Sequence, residues 1–233
     1  MEWLTVTLSL YRKAFSRAGE LTLKNWPVLI TVFVYAATLN VAAIVAGMLG
    51  LIGGFLYSLV LAACIGSFLY LVEMMVRTSR VSLDDFKRSF GAYLWDVVGV
   101  VFLFWLFSNL AIPALVTLPQ GHVIILCAYV AVLVLCNAVP ELIYLGHFSS
   151  LALVQASYDF VVENWIEWFP ANILAGLIVG VVNGLPLEGV LQWVQIGATA
   201  LLIYFVMVMR GLLFLELHGT SRRSRAFRHR MGT

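Results

Sequence analysis

Six long apolar stretches constrain this chain more than any other feature of its sequence. They cover about residues 27–49, 55–76, 97–118, 122–145, 168–184 and 189–217. A bilayer core about 30 Å thick requires roughly 20 apolar residues for each helix that crosses it. We therefore expect an all-α integral membrane protein with six transmembrane helices.

The composition excludes other classes of protein. The 233 residues are 62% hydrophobic and 11% charged, whereas an average soluble domain is about 45–50% apolar and about 25% charged. The chain therefore has too few polar side chains for a soluble globule, and it is too hydrophobic for a disordered protein. The net charge of +2 gives no sign of nucleic acid as a partner. The expected partners are the lipid bilayer and other membrane-protein subunits.

The basic residues all lie on or near one side of the predicted spans. Their positions are Arg12, Lys13, Arg17, Lys24, Arg77, Arg80, Lys87, Arg88, Arg210, Arg222, Arg223, Arg225, Arg228 and Arg230. The opposite connections, around residues 50–54, 118–122 and 184–189, contain no Lys or Arg. By the positive-inside rule both termini are cytoplasmic, as expected for a protein integral to a bacterial inner membrane.

A basic tail at residues 218–233 follows the sixth span. Five arginines in it are predicted to contact lipid headgroups, at about 1 kcal/mol for each residue near an anionic surface. These arginines are Arg222, Arg223, Arg225, Arg228 and Arg230. The same cluster is also explained by its role in fixing topology.

A threefold repeat is indicated by Trp26, Trp95 and Trp165, which are 69 and 70 residues apart. Each stands between an amphipathic stretch, called a lead-in helix below, and an odd-numbered span. The predicted single membrane domain, residues 1–233, then consists of three parallel units at about 9–80, 81–150 and 151–222, related by an axis along the membrane normal. The alternative is that these Trp residues simply form the interfacial aromatic belt.

Three glutamates recur near the ends of the even-numbered spans. Glu73, Glu141 and Glu216 are each followed within nine residues by Ser, and Arg77 lies one helical turn after Glu73. They could form a cytoplasmic mouth that attracts cations, or each could anchor its hairpin to a basic residue. Pro140 precedes Glu141 and frees a backbone carbonyl near Asn137.

Other polar and small residues lie inside the spans. Asn40 and Asn109 are 69 residues apart, each about 21 Å along its helix from the preceding Trp. They are predicted to bond between helices or to contact a shared solute. Gly176, Gly180 and Gly184 follow one helix face at a spacing that allows close helix packing.

The residues typical of catalytic and metal sites are scattered or missing. The four His residues do not cluster, and the three Cys residues all lie in predicted spans. The sequence has no HExxH motif, no phosphate-binding glycine loop and no GxSxG motif. We therefore expect neither an enzyme nor a bound cofactor or metal.

The entries to the first and fifth spans, Asn25-Trp26-Pro27 and Asn164-Trp165, carry a family resemblance. With the amphipathic lead-ins and the spacing of the hairpins, they resemble a group of six-span bacterial membrane proteins. That group includes the membrane domain fused to some glycerophosphodiester phosphodiesterases. The resemblance implies an integral membrane architecture, and it carries over no active-site residue because the catalytic domain of the fused members is absent from this sequence.

Three functions fit these observations. The first is a non-enzymatic membrane protein, either a transport-type bundle or a scaffold or accessory subunit of a membrane complex. The second is the permease subunit of an ATP-driven exporter, with residues 81–95 docking on the ATPase. The third is an anionic-lipid-binding protein of the membrane surface.

Overall fold

The computed structural model describes residues 2–146, 150–186 and 188–220, and within these ranges the chain forms helices and no strands. The α-helices are α1 Glu2–Lys24, α2 Ile30–Thr78, α3 Leu83–Ala92, α4 Leu94–Leu106, α5 Ile112–Val116, α6 Gly121–Leu135, α7 Val139–Glu141, α8 Ser150–Gly184 and α9 Val190–Leu217. A 3-10 turn, Trp26–Leu29, precedes α2, and π-helical turns follow α4 at Phe107–Ala111 and α7 at Leu142–Gly146.

Six helical segments are long and apolar enough to cross a membrane. They are Trp26–Gly50, Ile52–Thr78, Leu94–Val116, Gly121–Gly146, Ala152–Gly184 and Val190–Leu217, called the first to sixth spans below. The prediction of six apolar helices is thus confirmed. The fifth span begins earlier than the predicted residue 168, because α8 continues from the third lead-in into the span without a loop.

Two of the connections between spans turn at a glycine with positive φ. Gly50 has φ 58° and ψ −129°, and Gly189, directly before α9, has φ 63° and ψ −131°. Side chains with a Cβ atom rarely adopt this conformation, whereas glycine adopts it freely. The first connection therefore reverses direction at Gly50 with no polar loop.

Each lead-in helix ends at one residue that leaves the helical conformation. Asn25 has φ −105° and ψ 29°, Tyr93 has φ −121° and ψ 17°, and Asn164 has φ −116° and ψ 16°. The break comes one or two residues before Trp26, Trp95 or Trp165. The change from amphipathic lead-in to apolar span is thus marked by the same local backbone geometry three times.

The chain forms two compact units, whose boundaries differ from those of the predicted repeats. The first contains Met1–Val34, Leu71–Ser82 and Asn164–Thr233. In it α1 packs against α9 and buries Ala14, Ala18 and Leu21, which the helical spacing places on one face. The rings of Phe15 and Phe205 meet edge to face, with their centroids 4.9 Å apart.

The second unit contains Tyr35–Tyr70 and Leu83–Glu163. A chain of buried hydroxyl groups fastens α3 to the first two spans: the hydroxyl of Tyr35 lies 2.7 Å from that of Ser67, which bonds the hydroxyl of Ser89. In the third lead-in, Ser157 donates a hydrogen bond of 2.7 Å to the carbonyl of Leu135. Hydrogen bonds of this kind hold helices together where apolar contact with lipid would be equally favourable.

Candidate functional site

Glu216 forms an ion pair with α1. The Nζ atom of Lys13 lies 2.6 Å from Oε1 of Glu216. The Lys13 side chain is 73% exposed and the Glu216 side chain 33%. The pair joins the first lead-in to the end of the sixth span, as expected if this carboxylate anchors helices.

Glu73 pairs within its own helix. Nε of Arg77 lies 2.9 Å from Oε1 of Glu73, and the Glu73 side chain is only 8% exposed. A glutamate followed four residues later by a basic residue is the favourable order for such a pair. The charge of this buried carboxylate is therefore balanced locally.

Glu141 is fully buried, with 0% of its surface exposed. It ends α7, which contains only three residues. Pro140 cannot donate to the helical ladder, and the backbone here turns through a hydrogen bond of 3.2 Å from the Val139 amide to the Cys136 carbonyl. Glu141 belongs to the second unit and the other two glutamates to the first. The convergence of all three carboxylates stays a prediction.

The side chains of Asn40 and Asn109 bond to their own helices. Asn40 donates 2.7 Å to the carbonyl of Ala36, and Asn109 donates 2.8 Å to the carbonyl of Trp105. Both residues are exposed. Asn137 lies in the turn before α7, where its backbone N–H donates to the carbonyl of Val134.

The face that carries Gly176, Gly180 and Gly184 is open. A Cβ atom built on any of these glycines would meet no atom within 4 Å. No helix of the described chain therefore packs closely on this stripe. The five tail arginines, Arg222, Arg223, Arg225, Arg228 and Arg230, lie outside the described residues.

The side chain of Asn25 joins two segments of the chain by hydrogen bonds, a role that was not predicted from the sequence. Its Nδ2 atom donates 2.8 Å to the carbonyl of Leu21 and 3.4 Å to that of Ser79. Its Oδ1 atom accepts a 3.0 Å hydrogen bond from the amide of Val81. The side chain is 6% exposed, so it ties the end of the first lead-in to the end of the second span. The only sequence signal was its place before Trp26.

Replacing Asn25 with alanine should therefore destabilise the protein by about 2 kcal/mol, because the partly buried amide of Val81 would lose its acceptor and the buried Asn25 side chain its other hydrogen bonds. Unfolding of the purified chain in detergent measures the change. Asn40→Ala is the matched control, since the Asn40 side chain is exposed and bonds only to its own helix. Equal losses in the two variants would contradict the fastening role.

A buried tryptophan and an arginine of the sixth span also come together. Trp168 is 0% exposed, and Cζ of Arg210 lies 5.0 Å from the centroid of its ring. Asn172 donates 2.6 Å to the backbone carbonyl of Trp168. The face of an indole ring attracts a guanidinium most strongly when water is excluded. This contact gives the arginine inside the sixth span a partner.

Tyr11 of α1 reaches the fifth span. Its hydroxyl donates a 2.6 Å hydrogen bond to the backbone carbonyl of Glu167. Burial and, less strongly, the nearby Glu167 carboxylate raise the pKa of Tyr11 to about 12, although a hydrogen bond with the Ala171 backbone opposes them. The phenol therefore stays protonated, and remains a donor, at any physiological pH.

An apolar groove of about 560 Å³ lies between the second and third spans, within the second unit. Its lining residues are Gly54, Phe55, Ser58, Leu59 and Ala62 on one wall and Val98, Val101, Phe102 and Trp105 on the other. The rings of Phe102 and Trp105 are stacked, with centroids 6.1 Å apart. This groove was not predicted from the sequence, although Gly54, Ser58 and Ala62 recur at every fourth position.

In the part of the chain that the structure describes, no group of three or more His, Cys, Asp or Glu residues could hold a metal ion. Comparisons with protein-family models, with curated proteins and with solved structures find no match to the chain.

Proposed function

We propose that this chain is a non-enzymatic scaffold or accessory subunit of a complex in a bacterial inner membrane, with both termini in the cytoplasm. The observation that carries the proposal is the use made of its acidic residues. Glu216 fastens α1 through Lys13, and Glu73 is neutralised by Arg77. A transport-type bundle would need these carboxylates to face a solute, whereas here they join or stabilise helices.

Two features, each of which occurs three times, support a body of three parallel units. Each lead-in ends in a similar backbone break before a Trp. Each also contacts an even-numbered span, through Phe15 and Phe205, Ser89 and Ser67, or Ser157 and Leu135. A regular frame of fastened helices is the architecture expected of a scaffold.

The third span, which forms one wall of the groove, and the fourth span are packed only slightly within the chain. Only 6% of the most apolar window of the third span and 11% of that of the fourth are buried, compared with 39% in the second and sixth spans. Helices in a membrane associate through packing and hydrogen bonds rather than through the hydrophobic effect. Two spans with so little packing therefore have most of their surface available to another protein.

The groove favours an apolar transmembrane helix as its occupant. Gly54 and Ser58, both exposed, line one wall, and small residues four positions apart allow two helix backbones to approach closely. The opposite wall carries Phe102 and Trp105, whose rings offer a broad packing surface. We propose that a transmembrane helix of a different protein lies in this groove.

Photo-crosslinking in the native membrane tests this proposal. Benzoylphenylalanine replaces Phe55 or Trp105, which line the groove, or Trp193 of the sixth span as an exposed control. We expect the two groove positions to give one protein adduct of discrete mass, and the control to give none. In the Phe55 probe, Ser58→Leu should lower the yield about tenfold, which corresponds to roughly 1.4 kcal/mol of lost packing.

Two outcomes would contradict the proposal. Adducts with lipid alone would remove the scaffold function and favour a surface that simply faces the bilayer. An adduct at twice the mass of the 25.9 kDa chain would identify the occupant as a second copy instead of another protein. Copurification of an ATPase subunit with the chain, independently of the crosslink, would support the exporter alternative.

A further inference from the structure

Two exposed cations, Lys24 and Arg80, lie where the first lead-in helix meets the end of the second span. Lys24 is the last residue of α1, and Arg80 closely follows the second span. The side chain of Asn25, directly after Lys24, bonds the carbonyl of Ser79 and the backbone N–H of Val81, the two neighbours of Arg80. The backbone segments that carry these cations are therefore fixed to each other.

Arg17 brings a third cation to the same place. One terminal nitrogen of its guanidinium donates a 3.2 Å hydrogen bond to the hydroxyl of Ser79, and the other lies 2.9 Å from Oε2 of Glu20. Lys24 follows seven residues later, about two turns or about 10 Å along nearly the same face of α1. The side chain of Arg17 is 45% exposed, so its guanidinium is also accessible to a ligand.

The charges of this cluster are not balanced within the described part of the chain. Lys24 and Arg80 form no ion pair with any residue that the structure describes, and Arg17 pairs there with Glu20 alone. Three cations and one carboxylate leave a net charge of +2. Guanidinium and ammonium groups are the usual protein partners of phosphate oxygens. The cluster is therefore suited to bind a phosphate group.

The apolar residues beside the cluster indicate which kind of phosphate it binds. Leu23, Trp26 and Ile30 are each more than half exposed, and Trp26 begins the first span. Tryptophan is enriched at the boundary between the headgroups and the hydrocarbon of a membrane, so Lys24 lies at the depth of the headgroups. A phospholipid would use both the cations and the apolar side chains, whereas free phosphate would use the cations alone.

We propose that Arg17, Lys24 and Arg80 bind the phosphate of an anionic phospholipid, whose acyl chains lie along the apolar entrance of the first span. The net positive charge favours a lipid with a net negative charge, such as phosphatidylglycerol, over a zwitterionic lipid, such as phosphatidylethanolamine. The site is formed by α1 and the end of the second span. It shares no residue with the apolar groove and requires no partner protein.

Titration of the delipidated full chain in neutral detergent, followed by native mass spectrometry, tests the site. We expect phosphatidylglycerol to form a single saturable adduct and to bind more tightly than phosphatidylethanolamine. Lys24→Gln and Arg80→Gln should each weaken the binding of phosphatidylglycerol about fivefold, which corresponds to about 1 kcal/mol for each basic residue. Arg12→Gln is the matched control, because Arg12 is exposed on α1 about 140° around the helix from Arg17. It should change the binding by less than about twofold.

Glu20→Gln distinguishes lipid binding from damage to the fold. It removes the carboxylate that competes for Arg17, so it should tighten the binding about twofold, a gain that a damaged fold would not produce. Equal binding of the two lipids, or an equal loss in Arg12→Gln, would overturn the proposal, because the basic residues would then attract anions only diffusely. Displacement of the lipid by millimolar inorganic phosphate would also overturn it, since the cluster would then be a site for free phosphate.

Discussion

Replacing Trp168 with alanine is expected to destabilise the protein by about 3 kcal/mol. The ring is fully buried, and truncating a buried Trp leaves a cavity that the surroundings fill only in part. The loss also uncovers the guanidinium of Arg210, which lies 5.0 Å from the ring centroid. Lipid tails replace some apolar contacts, so we expect the lower end of the range of about 3–5 kcal/mol for such changes.

The chain offers a matched control three residues earlier. Trp165 is 57% exposed, so Trp165→Ala should change the stability by only about 0.5 kcal/mol. Unfolding by a denaturing detergent, followed by intrinsic fluorescence, measures both variants. Trp168→Phe should recover part of the loss, because phenylalanine fills some of the cavity and retains a ring face for Arg210. Similar losses at positions 165 and 168 would contradict the inferred packing.

The apolar helices are well predicted from the sequence, because hydropathy over about 20 residues shows whether a helix is surrounded by lipid or by water. The lead-in helices are also visible, since Ala14, Ala18 and Leu21 recur at helical spacing and all three are buried. The start of the fifth span was harder to predict from the sequence. Its polar residues, such as Glu163 and Glu167, suggested a separate segment, although α8 runs through them.

The contacts of the candidate site divide according to separation along the chain. The pair of Glu73 and Arg77 is four residues apart, so helical geometry alone brings it together. Lys13 and Glu216 are 203 residues apart, and Tyr11 and Glu167 are 156 apart. These contacts follow from the packing of α1 on α9, which no local pattern specifies. Knowing the residue types in advance therefore did not reveal the partners.

The asparagines in the spans show a second reason why hydrogen-bond partners are hard to predict from the sequence. The recurrence of Asn40 and Asn109 suggested a contact between helices, yet each side chain bonds a carbonyl four residues earlier in its own helix. Polar side chains commonly use such local backbone acceptors. Asn25 makes long-range hydrogen bonds because the first lead-in helix ends there and Val81 lies within reach of its side chain. The backbone conformation, rather than the residue type, decides between the two uses.

Substituting Gly53 with alanine is the second change expected to have a large effect. A Cβ atom at this position would lie 2.0 Å from the backbone carbonyl oxygen of Ala46 and 2.6 Å from its Cα atom. Both are backbone atoms, so no rotation of a side chain can relieve the clash. The first hairpin would have to shift, and we expect a loss of about 3 kcal/mol, at the upper end of the usual range for overpacked sites.

The adjacent glycine separates this steric effect from a general change in helix propensity. A Cβ atom on Gly54 would meet nothing within 4 Å, and alanine favours a helix over glycine by about 1 kcal/mol. Gly54→Ala should therefore leave the stability unchanged or raise it slightly, while Gly53→Ala lowers it. Unfolding in denaturing detergent compares the two variants. If Gly53→Ala were tolerated as well as Gly54→Ala, the close approach of the first two spans at Ala46 would be wrong, and so would the tight turn at Gly50.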